Sequence, residues 1–495
     1  MNSVSVPDPT ILPADAANQR LLAHVRPVGL PVPAGTIYDL IVIGGGTAGL
    51  VTAIGSAGLG ARVALIERLW LGGDCLNVGC VPSKALLRSA RAVHEARAGA
   101  RVGVRVGEVF VDFPGVMARM RECRADLAPN DSATRLAAAG VDVFFGEATF
   151  ADSRHVIVNG RPLRFGRAVI ATGGRPVAPP VPGLEETGYL TNETIFQLTD
   201  LPRRLLIIGA GPIGCELAQA FALFGSEVTL VDVAPRPLPR EDEDASAIVA
   251  RSLEKDGVRL IMGAMLQSVR RHNRDVRALW PQGEAAADAV LVAAGRAPNV
   301  EGLNLQAAGI RSSVDGLVVN ERLQTTHPRV YAAGDVASPF KFTHAADAGA
   351  RLVIRNALFF GRGHASSLVI PWCTYTYPEV AHVGTSSGDA ITIPLSEIDR
   401  ACIDDETEGF VRIYRQGRRI VGSTIVAPHA AGELIAMVAH IMRTGGSLED
   451  LSSSIVPYPT WAEGLRKAGD AYRRTRLTRR TKRWLAAYFR FRRRG

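Results

Sequence analysis

Two cysteines five residues apart, Cys75 and Cys80, stand in the stretch GGDCLNVGCVPSK that runs from 72 to 84. On one regular helix that separation would turn the two side chains about 140° away from each other. A bond between the sulfurs therefore requires an irregular turn, which Asn77 and Gly79 permit before a helix resumes through KALLRSARAVHEAR. A thiol near a helix N-terminus has a depressed pKa, and the thiolate is its reactive form. The pattern reads as a redox-active pair that works by making and breaking a disulfide. Two buried, inert thiols or half of a zinc site are the competing readings. The zinc site lacks its other half, since Cys123, Cys215, Cys373 and Cys402 stand alone, so no resident metal is expected.

Two glycine turns supply what such a pair would need beside it. Gly44, Gly46 and Gly49 follow an apolar run at 39–43, and the next strand, VALIE, ends in Glu67, 23 residues after Gly44. In this arrangement the first glycine makes the tight turn, the second lets a pyrophosphate approach the backbone, and the third lets helix and strand pack. Helix N-terminal amides then hold the phosphates, and Glu67 can accept the ribose hydroxyls. The layout recurs at Gly209, Gly211 and Gly214, with Asp232 again 23 residues on. An acid at that place favours a free ribose 2′-hydroxyl and therefore NAD(H) over NADP(H). Arg236 and Arg240 lie just beyond and offer the opposite reading, a site for a 2′-phosphate.

These turns must sit on parallel sheets, so the expected class is α/β with two Rossmann-type nucleotide-binding domains. Further strands ending in glycine are read at 169–174, 290–296 and 330–335. GRGHASS at 361–367 reads as a linker, and the alternation after it reads as a domain of mixed type. Residues 1–37 are proline-rich with little periodicity and read as an extended lead-in. The chain has 495 residues, 47% hydrophobic and 21% charged, which excludes wholesale disorder. Its net charge is +9, from 57 basic and 48 acidic residues, but eleven of the basic residues and no acid lie in 471–495. The rest of the chain is therefore at −2, and no nucleic-acid partner is expected of it. No apolar run approaches the roughly 18–20 residues that span a bilayer. The first twenty residues lack a basic start followed by an apolar stretch, so the expectation is a cytoplasmic protein.

The motifs GGGTAG, GGDCLNVGCVPSK, ATGGRP, GAGPIGCE, AAGRAPN, AAGDV and YPTWAE occur in that order over about residues 38–475. Through them the sequence resembles the FAD-dependent pyridine nucleotide–disulfide oxidoreductases, the family of dihydrolipoamide dehydrogenase, glutathione reductase and mercuric reductase. The resemblance implies a homodimer with an FAD-binding domain in two parts (38–180 and 312–366), an NAD(P)-binding domain (181–311) and a C-terminal α+β dimerisation domain (367–470). It assigns to FAD the residues Gly44, Gly46, Gly49, Glu67, Gly73, Lys84, Ala148, Thr172, Gly173, Gly174, Asp335 and His344. To NAD(P) it assigns Gly209, Gly211, Gly214, Glu216, Asp232 and Gly295. It also implies that Cys80 is the cysteine nearer the flavin and Cys75 the one that attacks substrate. Lys84, paired with Glu216, would set a positive charge near the flavin N5, where the bland alternative is a solvated helix lysine. A helix beginning near His344 would aim its N-terminus at the flavin C2 carbonyl, with His344 contributing its backbone or its side chain.

The chain also departs from that pattern. Disulfide-reducing members carry a histidine before Pro-Thr, with a glutamate after it; here the positions hold Tyr458 and Glu463, and no histidine follows His440. A phenol of pKa about 10 is a poorer base at neutral pH than an imidazole near 6.5. The Tyr-Pro-Thr sequence places the chain nearest the mercuric reductase-like branch, yet no cysteine follows Cys402 to hand Hg(II) to a second thiol pair. The expected function is NAD(P)H oxidation through FAD and Cys75–Cys80 to a disulfide or other thiol-reactive acceptor. Hg(II) reduction is one alternative, and a membrane-associated electron-transfer or redox-sensing flavoprotein another. In the basic tail, 471–495, Leu477, Trp484, Leu485, Tyr488 and Phe491 fall roughly on one helical face. A solvated extension, a helix held at an anionic membrane surface, and a contact for a partner or nucleic acid all fit that pattern.

Overall fold

The apolar run ahead of the first glycine turn forms the strand Ile37–Ile43, parallel to Val63–Glu67 on one side and to Arg161–Ile170 on the other. The computed structural model describes residues 11–27, 35–273 and 275–493. Among them these strands belong to a seven-stranded sheet that also includes Val141–Phe145, His155–Val158, Ala148–Phe150 and Val330–Ala332. Successive side chains of a strand point to opposite faces. Leu40, Val42, Val63 and Leu65 accordingly join one apolar core, and Ile41, Ile43, Ala64 and Ile66 join another. A sheet covered on both faces needs continuous apolar strands, and VALIE is buried at every position.

The second glycine turn leaves a four-stranded parallel sheet in the order Val258–Met262, Glu227–Asp232, Arg204–Ile208, Ala289–Val292. A three-stranded antiparallel meander, Ser268–His272, Asp275–Trp280 and Gly283–Ala287, packs Val269, Val276, Ala278 and Trp280 into the same core as Leu206, Ile208 and Val290.

The chain divides into two units, one of residues 1–94, 109–233 and 257–368, the other of 95–108, 234–256 and 369–495. Both parallel sheets belong to the first. The second holds a five-stranded antiparallel sheet in the order Pro371–Thr374, Glu379–Gly384, Arg419–Ala427, Phe410–Gln416, Asp389–Pro394. Helices Ala431–Arg443 and Glu463–Thr475 bury Leu434, Val438, Leu465 and Ala468 against it. The architecture is the α/β one expected from the glycine turns, with a C-terminal α+β domain.

Three sequence expectations need correction. The lead-in at 1–37 is not extended throughout: Ala16–Val25 is a helix, capped by Asp15, whose side chain accepts from the Asn18 N–H at 2.9 Å. Its Ala17, Leu21 and Val25 recur every four residues and enter the core, a period masked by the prolines around them; residues 1–10 and 28–34 of the lead-in lie outside the described residues. The tail does not begin a new regime at Ala471, because Tyr472 is buried on the helix Glu463–Thr475. Leu477 lies between that helix and the next one, Arg479–Arg492, rather than on its face; residues 494–495 lie outside the described residues.

Candidate active site

The first glycine turn shows which of its glycines the protein itself requires. Gly44 has φ +107°, and a Cβ there would strike the carbonyl of Ala171. A Cβ on Gly49 would fall on the carbonyl oxygen of Gly44. A Cβ on Gly46 meets only the Cα of Gly73, at 3.7 Å, so that position is bare for something other than packing. Gly46 caps the helix Thr47–Gly58 without a side-chain hydrogen bond, and the first-turn amides of a helix have no partner within it. The Glu67 carboxylate is buried, with Oε2 accepting from Gly45 N at 2.5 Å and Oε1 from Leu69 N at 2.6 Å. Burial pushes its pKa up, against the pull of those backbone donors. A bare glycine, a helix N-terminus and a fixed carboxylate together fit a dinucleotide such as FAD.

The second turn repeats the geometry. Gly209 has φ +109°, its Cβ would lie 2.6 Å from the Ala293 carbonyl, and a Cβ on Gly214 would fall on the carbonyl of Gly209. Nothing lies within 4 Å of a Cβ on Gly211 or on Gly295. Asp232 Oδ2 accepts from Ala210 N at 2.5 Å and is only partly buried. Arg236 is engaged within its own segment, with Nη2 reaching the Glu241 carbonyl at 3.2 Å and Nη1 near Glu243 at 3.5 Å.

The cysteines lie on two short-spaced helices, Gly73–Val78 and Cys80–Ala98, broken at Gly79. Asn77 fastens the first of them, donating from Nδ2 to the carbonyls of Leu71 at 3.0 Å and Gly73 at 2.9 Å. Arg124, buried, donates to the Asn77 carbonyl and to Asn18 Oδ1, both at 2.6 Å. Cys80 is exposed and lies 3.2 Å from Thr343 Oγ1, at the start of the helix Thr343–Leu358. Its thiol is pulled down to about 6, first by the hydrogen bond from Cys75, then by Thr343 and the positive charge of Lys84. Cys75 moves the other way, because it keeps its proton to donate to Cys80 and is half-buried. Lys84 Nζ lies 2.8 Å from Glu216 Oε2, and that carboxylate is buried on the helix Pro212–Phe224. Cys75, Cys80, Lys84, Glu216 and Thr343 thus form one cluster.

Around it, Thr172 Oγ1 donates to the Asn299 carbonyl at 2.6 Å, and Asn299 Nδ2 returns a bond to the Thr172 carbonyl at 2.9 Å. Gly173 accepts from Asn299 N at 3.0 Å, and a Cβ on Gly174 would meet the Ala297 carbonyl at 2.8 Å. Burial pushes the Asp335 carboxyl up, while Arg296 and Lys341 oppose the shift. Arg296 bridges Asp335, at 3.5 Å, to Asp74 of the cysteine segment and donates to the Gly174 carbonyl at 2.8 Å. Sequence reasoning did not single out Arg296, Asp74 or Thr343. The signal for Arg296 was present in AAGRAPN; nothing local pointed to Thr343. Ala148 is buried at the start of the strand Ala148–Phe150. His344 is exposed, its ring stacked on Phe342 with centroids 5.5 Å apart.

In the second unit Tyr458 is 71% exposed and donates to Asp399 Oδ2 at 3.0 Å, which raises its pKa. Glu463 is buried beside Lys467, at 3.2 Å, and Arg466, at 3.4 Å. No helix among the described residues is long and apolar enough to cross a membrane.

Residues 38–350 match the family described as pyridine nucleotide-disulphide oxidoreductase, and residues 370–469 match the dimerisation domain of that family. A mercuric reductase of Staphylococcus aureus is 34% identical over 447 residues, covering 87% of this chain and 82% of its own. A dihydrolipoyl dehydrogenase of Thermus scotoductus is 34% identical over 454 residues, covering 88% and 97%. Among solved structures, the HOCl-induced flavoprotein disulfide reductase RclA from Escherichia coli aligns with a TM-score of 0.78 at 29% identity, over 88% of this chain and 99% of that one. LpdA from Mycobacterium tuberculosis aligns with a TM-score of 0.80 at 27% identity, over the same shares.

Proposed function

The chain belongs to the FAD-dependent pyridine nucleotide-disulphide oxidoreductases and carries their dimerisation domain, and we propose that it oxidises NADH and reduces a disulfide or another thiol-reactive acceptor through Cys75 and Cys80. Bound FAD would supply two-electron exchange between the nicotinamide and the thiol pair. The observation that carries the proposal is the cluster that sets Cys75 and Cys80 beside Thr343 and the Lys84–Glu216 ion pair, in which the Cys80 thiol is drawn down.

At neutral pH the thiol pair shares one proton and one negative charge, with the hydrogen bond from Cys75 and the positive charge of Lys84 favouring the thiolate at Cys80. Lys84 stabilises the charge, and the buried Glu216 fixes the lysine's position. Cys75 attacks one sulfur of the acceptor as its proton passes to the neighbouring Cys80 thiolate or to solvent. The first acceptor thiolate leaves, and a mixed disulfide with Cys75 remains. Cys80 then attacks Cys75, releasing the second thiolate and closing the Cys75–Cys80 disulfide. The balance is NADH, a proton and a disulfide giving NAD⁺ and two thiols. Tyr458 is a weak base with Asp399 drawing its pKa further up, so we assign proton transfer to the thiol pair and to water rather than to Tyr458 or Glu463.

The preference for NADH rests on Asp232, which would repel a 2′-phosphate, and on Arg236, which is spent on Glu241 and Glu243. Hg(II) is the second candidate acceptor, favoured by relatives that carry the name mercuric reductase. Membrane contact is assigned to the C-terminal helix and not to the thiol pair or the nucleotide cradles.

Cys80→Ser should abolish both disulfide-dependent NADH oxidation and the long-wavelength absorbance of the partly reduced enzyme; survival of that absorbance would sink the role given to Cys80. Comparing NADH oxidation driven by disulfides with that driven by Hg(II) in excess thiol separates the two acceptors. In the reduced protein, the rate of iodoacetamide labelling of Cys80 should rise through pH about 6, because the thiolate, the reactive form, gains population above its pKa. Lys84→Met should move that midpoint upward.

A further inference from the structure

We propose that the helix Arg479–Arg492 lies in the plane of an anionic bilayer and holds the enzyme at its surface, a proposal independent of the acceptor's identity. None of the helix's fourteen residues is buried. Trp484 is 66% and Phe491 78% exposed, with Tyr488 and Phe489 also open to solvent. Ordinary surface helices turn their large apolar side chains into a core, and among the described residues this one buries none of its own.

The residues are sorted around the axis. At about 100° per residue, Phe491, Trp484, Tyr488, Leu485 and Phe489 fall within an arc of about 160°. Lys482, Arg479, Arg490, Arg483 and Arg480 fall in the opposite arc, and Arg492, in the last turn, enters the apolar one. Thr478 caps the start, its hydroxyl accepting from Thr481 N at 3.2 Å, so the segment begins as a defined helix. Its length, about 21 Å at 1.5 Å per residue, falls short of a hydrocarbon core of about 30 Å. A helix that is amphipathic, basic and too short to span is suited to the boundary between headgroups and acyl chains.

The occupant follows from charge and from the aromatic side chains. Eleven basic residues and no acid lie between 471 and 495, so a surface that complements the segment must be negative. A second copy of the same segment would bring like charges together and is disfavoured for that reason. Single-stranded nucleic acid would need an open ring face on which to stack its bases. Trp484 and Tyr488 stack on each other, with centroids 5.9 Å apart and planes 9° apart, which leaves each of them a single face for a base. Tryptophan and tyrosine are the side chains that favour the bilayer interface.

The test uses the full-length, FAD-loaded enzyme in vesicle flotation with phosphatidylcholine alone and with about 30 mol% phosphatidylglycerol added. Binding to the anionic vesicles should exceed binding to the neutral ones by roughly tenfold and should fall steeply as salt screens the charges. Replacing Trp484→Ala, Tyr488→Ala and Phe491→Ala together keeps every basic residue and should still remove most of the binding, while NADH-dependent dye reduction stays unchanged. Deleting 479–495 should do the same. The proposal is overturned if neutral vesicles bind equally, if the triple variant binds as well as the parent, or if an oligonucleotide is retained where anionic vesicles are not.

Discussion

The chain builds the same glycine cradle twice and finishes the two copies differently. Gly44 and Gly209 share a positive φ of 107° and 109°. Gly49 and Gly214 are each pressed against the carbonyl of the first glycine. The copies diverge above that frame. In the first, the Gly72 amide donates to the Gly45 carbonyl at 2.9 Å, and Gly73 closes to within contact of Gly46. Both oxygens of Glu67 are fixed by backbone amides in a buried setting. In the second, Gly211 faces open space, Ala210 replaces the middle glycine, and Asp232 is only partly buried. The same backbone turn thus serves a site roofed by the redox segment and a site left open. The first suits a ligand that stays and the second a ligand that must leave each turnover.

The largest effects should come from the glycines on which both frames depend. A methyl group on Gly49 or Gly214 meets main-chain oxygen, and overpacking of this kind typically costs about 1–3 kcal/mol. Gly49→Ala should yield protein that is purified largely without flavin, seen as a low ratio of visible to ultraviolet absorbance. Gly214→Ala should retain its flavin and show a KM for NADH raised by roughly tenfold or more. Equal loss of flavin in both variants would break the assignment of the two cradles. A milder pair is Gly46→Ala and Gly211→Ala, where an added Cβ meets nothing closer than 3.7 Å in the protein. Both should unfold at the parent's denaturant midpoint, the first with weakened FAD binding and the second with weakened NADH binding. A drop in the ligand-free stability of either would mean that the bare position serves packing after all.

What could be read from the sequence was what local spacing encodes. A strand, a glycine turn, a helix and an acid 23 residues on occupy one continuous stretch, so the pattern and its two acids were both visible. The break at Gly79 was visible for the same reason, since two cysteines five apart cannot meet on an unbroken helix. Contacts made by crossover connections were not visible. Arg296 meets Asp74 across 222 positions, and Cys80 meets Thr343 across 263, and no periodicity records such pairs. The helix Ala16–Val25 was hidden by its proline-rich surroundings, although its role is long-range as well: Asn18 accepts from the buried Arg124 that also holds Asn77. Composition, finally, put the start of the tail at Ala471 where packing puts it after Tyr472.

The smallest expected effects, and the most diagnostic, lie at the two acids. Burial raises the folded-state pKa of Glu67 above its ordinary value of 4.5. The unfolded chain therefore releases this proton first as pH rises, and the folded state loses the stability associated with Glu67 from pH 4.5 upward until its own pKa is passed. Glu67→Gln removes that titration and should flatten the dependence of ligand-free stability on pH above 4.5. It also turns an amide N–H₂ toward one of two backbone donors, Gly45 N or Leu69 N, leaving that donor unmatched at a cost of about 1–3 kcal/mol. The net result should be a protein less stable than the parent at pH 5 and closer to it at pH 8, as measured by urea unfolding. Asp232→Asn lies in a more open setting, with Ala210 N donating to it in the parent. Its amide can keep an oxygen toward Ala210 N, and water can reach the partly exposed site to meet a donor left over, so its stability should change by under about 1 kcal/mol. Its effect should appear in cofactor choice, as a several-fold rise in the NADPH to NADH ratio of kcat/KM, because the charge that repels a 2′-phosphate is gone. If the two substitutions exchanged these signatures, the roofed and open cradles would have to exchange their ligands.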